Sequence, residues 1–178
     1  YTLDEIGTED PDEPDEVADK YQVTVTFEAV NGTVDKTKAV VTLFDEEGQP
    51  AEKGTGYLKQ DQIATATAEA GYNQGTLTWT PETPTTAYGI KKNMTFTASF
   101  DARTDLGYEV HYFYDGEEDT DNCVTDGKGT LGERIPYDTT LTEYNGKNYV
   151  LDRVDGKDKT ISADPAQNVV NVYYTLDE

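Results

Sequence analysis

Cysteine occurs once, as Cys123, and histidine once, as His111. A lone cysteine excludes an intramolecular disulfide and a cysteine metal cluster, so folding must rest on an apolar core. A lone histidine leaves little from which to build a nucleophile–base pair. Basic residues are scarce: 14 Lys and Arg stand against 36 Asp and Glu, for a net charge of −22. That balance argues against nucleic acid and anionic membranes as partners, since both require basic patches. No apolar run approaches the ~18 residues of a membrane span. No signal peptide is legible, as expected of an internal excerpt.

What is present begins with an echo. Tyr1-Thr2-Leu3-Asp4-Glu5 returns as Tyr174-Thr175-Leu176-Asp177-Glu178. Identity at a fixed interval is the mark of a tandem array, and the expectation is one repeat unit whose neighbours are copies of itself. Residues 1–20 are acidic and carry Pro11 and Pro14. Charge repulsion and proline extend such a segment, so it reads as an inter-repeat linker, preferred over a calcium site.

From Tyr21 the pattern alternates. Tyr21, Val23, Val25, Phe27 and Ala29 share one face, and Gln22, Thr24, Thr26 and Glu28 the other. Period two with β-branched residues predicts a strand. Asn31-Gly32 predicts a hairpin turn and Ala39–Phe44 a second strand. Asp61, the face Ile63, Ala66 and Ala70, and Gly71 predict a short capped helix. Leu77 and Trp79 alternate with threonines, and Met94, Phe96, Ala98 and Phe100 point inward from a further strand. After a hinge over 101–107, strands are expected at Tyr108–Tyr114, Thr130–Ile135, Tyr149–Val154 and Val169–Tyr174, with turns at Asn145-Gly146 and Asp155-Gly156.

Two resemblances sharpen this. Gly71-Tyr72, Leu77-Thr78-Trp79-Thr80-Pro81 and Asn93-Met94-Thr95-Phe96-Thr97-Ala98 resemble the internalin B-repeat (Listeria–Bacteroides repeat) group over residues 21–101. Tyr108-Glu109-Val110-His111-Tyr112-Phe113-Tyr114-Asp115-Gly116, with Asn168 to Tyr174, resembles the mucin-binding-protein (MucBP) repeat over 107–175. Both resemblances imply small β-grasp, ubiquitin-like domains, and the first implies sheet strands packed on one short helix. The expected class is therefore α+β, mostly β, as two β-grasp domains in tandem. Both imply tandem modules of secreted or wall-attached Gram-positive surface adhesins, and neither brings a catalytic residue.

Site chemistry is sparse. His111 lies mid-strand with Glu109 and Phe113, opposite the expected core face, and is read as a surface or rim side chain. Gly127-Lys128-Gly129-Thr130-Leu131-Gly132 matches G-x-G-x-x-G, but Glu133-Arg134-Ile135-Pro136 follows where a dinucleotide site needs a helix, so a flexible hairpin is expected. Asp115, Glu117, Asp119 and Asp121 are the calcium candidates; a solvated acidic hairpin tip is preferred, because the ligand order of an EF-hand is not matched. Lys36, Asn93 and Asn171 are available for an isopeptide cross-link, though no diagnostic motif accompanies them. No enzyme activity and no cofactor is expected. Two functions remain open: a stalk or spacer in an extracellular adhesin array, and a weak host glycan or glycoprotein binder with exposed tyrosines as contacts.

Overall fold

The computed structural model describes residues 17–178. The linker reading of residues 1–20 therefore falls almost wholly outside the described residues. The protein is mostly β, and among the described residues no α-helix forms, only 3₁₀ turns at Asp19–Tyr21, Gln60–Gln62 and Pro165–Gln167. None of these is long and apolar enough to cross a membrane. The chain divides into two compact units near Asp101, with the short piece Ala70–Tyr72 grouped with the second.

The first unit contains β1 (Gln22–Val30), β2 (Gly32–Val34), β3 (Lys38–Thr42), β4 (Ala66–Ala68), β5 (Tyr72–Thr80) and β6 (Met94–Ala102). Its main sheet has the order β3-β1-β6-β5. β1 runs antiparallel to β3 and parallel to β6, with Phe27 opposite Phe96. The alternation of β1 selects its buried face: Val25 and Phe27 are buried while Glu28 is exposed. Phe27 stacks on Phe96 at 5.9 Å, Trp79 meets Phe27 edge-on, and Tyr88 meets Phe96 edge-on at 5.3 Å. Leu43, Leu58 and Ile90 complete this core.

Two expectations fail here for local reasons. The helix predicted after Asp61 is absent; a 3₁₀ turn at Gln60–Gln62 leads instead into β4. Ala64, Thr65, Ala66 and Thr67 alternate buried and exposed, so period two prevails over the i, i+3 reading. β4 then pairs with β2, and the Asp35 carboxylate accepts from Thr65 N at 2.6 Å. Asn31 does adopt φ 62°, but Asn31-Gly32 does not join paired strands, since β1 pairs with β3 and β2 with β4.

The second unit contains β7 (Leu106–Tyr114), β8 (Glu117–Glu118), β9 (Val124–Gly129), β10 (Glu143–Tyr144), β11 (Lys147–Asp155) and β12 (Val169–Leu176). Its sheet runs β10-β11-β12-β7-β8, with β9 also on β7. The central pair is again parallel, β7 with β12, and β11 and β9 flank it antiparallel. Val110, Tyr112 and Tyr114 face Val170, Val172 and Tyr174 in the core, beside Ile135 and Ile161. Tyr114 is sandwiched between Tyr144 at 4.4 Å and Tyr174 at 4.9 Å, all three rings nearly parallel.

The strand expected at Thr130–Ile135 is displaced to β9. Residues 130–135 form a loop with a single bridge between Arg134 and Thr160, and Ile135 enters the core from that loop. The stretch Gly127 to Gly132, expected as a flexible hairpin, instead begins inside β9, and its first glycine has a packing reason: the Tyr108 ring lies over Gly127, where a Cβ would come within 2.5 Å of it. Asn145 (φ 50°) and Gly146 (φ 74°) form the expected tight turn between β10 and β11.

Candidate functional site

Among the described residues, β7 and the turn that follows it bring several titratable side chains together. The β7 alternation that buries Tyr112 turns Glu109, His111 and Phe113 to the other face. Asp115 (φ 46°) and Gly116 (φ 86°) then reverse the chain into β8, where Glu118 pairs across from Phe113. Glu118 Oε1 thereby comes to 2.5 Å from His111 Nδ1, and Glu109 Oε2 to 3.3 Å from His111 Nε2. Donating to both carboxylates requires protons on both ring nitrogens, so the arrangement suits an imidazolium. Burial of the ring opposes that charge, but the bonds and charges of Glu118 and Glu109 outweigh it and raise the pKa above the ordinary 6.5. The two nitrogens face separate carboxylates, so the trio does not converge on one point.

His111 belongs to a longer ladder on that face. Its ring lies 6.5 Å from Phe113, Phe113 stacks on Tyr173 at 5.0 Å, and the Arg153 guanidinium sits 4.0 Å above Tyr173. These side chains shield a sheet face that no α-helix covers among the described residues.

The four calcium candidates are held by different elements. Asp115 Oδ1 accepts from Leu176 N at 3.3 Å, and Glu117 Oε1 from the Tyr144 hydroxyl at 3.2 Å. Asp119 is buried, and its carboxylate accepts from Asp121 N, Asn122 N and Asn122 Nδ2. It acts as the acceptor that closes the loop between β8 and β9. Asp121 is exposed. Among the described residues no three His, Cys, Asp or Glu side chains converge as metal ligands.

The remaining candidates are also dispersed. Cys123 Sγ donates to Thr120 O at 3.3 Å within its own turn. Gly127–Gly129 ends β9 and Gly132 occupies a turn, with no helix beyond to cradle a phosphate. Lys36 Nζ lies 3.4 Å from Asp35, Asn93 Oδ1 accepts from Thr24 N at 2.8 Å, and Asn171 sits opposite His111 in the β7–β12 ladder.

The alternation of β7 places His111 beside Glu109, but the contact with Glu118 depends on the turn and is not visible in spacing. A groove of about 310 Å³ in the first unit also escapes sequence reading. It is lined by Val40, Thr42, Phe44, Tyr57, Lys59 and Gln62, and Tyr57 is the most exposed large apolar side chain of the described residues at 54%. No protein-family model matches this chain, and no curated protein or solved structure is significantly similar to it.

Proposed function

We propose that the chain is a stalk unit of a bacterial surface adhesin, a spacer that transmits tension and keeps a distal domain away from the cell. The observation that carries this reading is the pairing of each unit's first and last strands. β1 lies parallel to β6, and β7 parallel to β12. Parallel pairing of terminal strands sends the chain in at one pole of a unit and out at the other. Pulling on the termini then loads the ladder hydrogen bonds together in shear, instead of unzipping them one by one. The acidic composition favours extension and solubility of such a chain. The repeated pentapeptide supports tandem copies.

In both units a parallel central pair is flanked by antiparallel neighbours, which supports the β-grasp reading, while the covering α-helix is replaced by irregular chain and 3₁₀ turns. Pulling the chain by its ends in a force spectrometer should give two discrete rupture events, one per unit. Gradual extension at low force, without rupture peaks, would sink the spacer reading.

A second reading, a weak glycan or glycoprotein binder, is favoured by the exposed Tyr57 and Phe44 beside Lys59 and Gln62. An aromatic ring flanked by polar groups suits a sugar face. Saturable binding on a glycan or mucin array, lost in Tyr57→Ala, would establish it; a blank array leaves the spacer alone.

A further inference from the structure

Exposed sheet edges are ordinarily blunted by charge, proline or a covering side chain. The edges of the second unit's sheet follow this: β8, β9 and β10, and β11 beyond its two-residue pairing with β10, all carry charged residues. In the first unit, β3 carries Lys38, and Gln62 Nε2 donates to Val40 O across its outer edge at 3.1 Å. The opposite edge differs. β5 is an outermost strand with no Asp, Glu, Lys or Arg, in a chain that is 28% charged.

The half of β5 from Thr76 to Thr80 is built for pairing. Leu77 and Trp79 are half-buried on the core side, where Trp79 meets Phe27. Thr78 and Thr80 are exposed on the other face. Ser99 Oγ on β6 donates to Thr78 O, so the Thr78 carbonyl points into the sheet. By strand alternation the backbone groups of Leu77 and Trp79 point away from it.

We propose that β5 pairs antiparallel with the β5 strand of a second copy of this chain, about a two-fold axis at Thr78. In that register Thr78 faces Thr78, Thr76 faces Thr80, and Leu77 faces Trp79. These are Thr–Thr and apolar cross-strand pairs, both favourable. The nearest acid, Glu82, falls opposite Gln74, whereas a parallel in-register pair would set Glu82 against Glu82. A cationic strand, which the overall charge would attract, finds no carboxylate on β5 to meet. Like-with-like pairing is thus the match that this strand's chemistry favours. The contact is small, and copies of charge −22 repel, so it strengthens as salt screens them.

Sedimentation of the full 178-residue chain at rising salt tests this. A dimer whose population grows with salt is expected, and Thr78→Asp should weaken it at least about tenfold with an unchanged melting temperature, since like charges then meet at the axis. In a Cys123→Ser background, Thr78→Cys should form a disulfide dimer rapidly under mild oxidation, because facing Cα atoms at the axis lie ~4.5–5.5 Å apart. Thr33→Cys on β2, also exposed, should not. A chain monomeric at every salt and concentration, a dimer indifferent to Thr78→Asp or weakened by salt, or equal cross-linking at Thr33 would each overturn the proposal.

Discussion

His111 Nδ1 lies 2.5 Å from Glu118 Oε1, joining β7 to β8 across the tight turn at Asp115-Gly116. With Glu109 on the other nitrogen, the ring is held between two carboxylates and its side chain is only 21% exposed. The folded pKa is raised above the unfolded 6.5, so the bound proton stabilises the fold fully below 6.5. That contribution is lost as pH rises through the higher folded value. The melting temperature should therefore decline from mildly acidic to mildly alkaline pH, and Glu118→Gln should flatten the decline. An unchanged pH profile in Glu118→Gln would show that the clamp contributes nothing.

Alkaline titration probes the other unit-two cluster. Tyr114 donates its hydroxyl to Leu141 O and is stacked between two tyrosines. Burial, then the neighbouring Tyr174 and Asp119, push its pKa up to about 12. Because the folded value exceeds the unfolded ~10, stability holds below pH ~10 and falls between about 10 and 12. Tyr114→Phe should lessen that fall without abolishing it, since Tyr112, Tyr144 and Tyr174 are raised too. Denaturant titrations at a series of alkaline pH values measure the slope.

The central strands are legible in the sequence because each is long and buries one face. Val23, Val25 and Phe27, or Val110, Tyr112 and Tyr114, leave a period-two trace that nothing else explains. β4 and β9 are not legible, because their residues answer to distant partners. Ile63, Ala66 and Ala70 look helical until β2 is there to pair with Ala66, and Gly127 looks like a loop until the Tyr108 ring covers it. The same limit applies to the candidate site. Glu109 beside His111 follows from alternation, but Glu118 arrives only through a turn. Asp115, Glu117 and Asp119 look alike in sequence and serve three separate elements in the fold.

Asn168 is fully buried, and its side chain makes four hydrogen bonds. Oδ1 accepts from Ser162 N and Ser162 Oγ, while Nδ2 donates to Gly107 O and Ser162 O. It fastens the start of β12 to the start of β7, where the central parallel pair begins. Asn168→Ala strands the Ser162 amide and the Gly107 carbonyl, at a cost of about 3 kcal/mol. Asn148→Ala, at an exposed position whose backbone carbonyl alone bonds Asp177 N, should stay within about 0.5 kcal/mol. Equilibrium unfolding in urea followed by tyrosine fluorescence distinguishes the two, and equal effects would remove the special role of Asn168.

Asp119 separates a loop-closing acid from a metal ligand. Its carboxylate accepts from two backbone amides and the Asn122 side chain. Asp119→Ala should then cost about 1–2 kcal/mol, as loss of a cap does, whether or not calcium is present. A site of even ~10⁻⁴ M affinity would add about 2.7 kcal/mol at a hundredfold excess of calcium over that value. The expected result is a melting temperature unmoved by ~10 mM calcium, a hundredfold excess over that affinity, or by a chelator, in the parent chain and in Asp119→Ala alike. A calcium-dependent rise in the parent that disappears in Asp119→Ala would instead make Asp119 a ligand, with the loop's amides a second role for the same carboxylate.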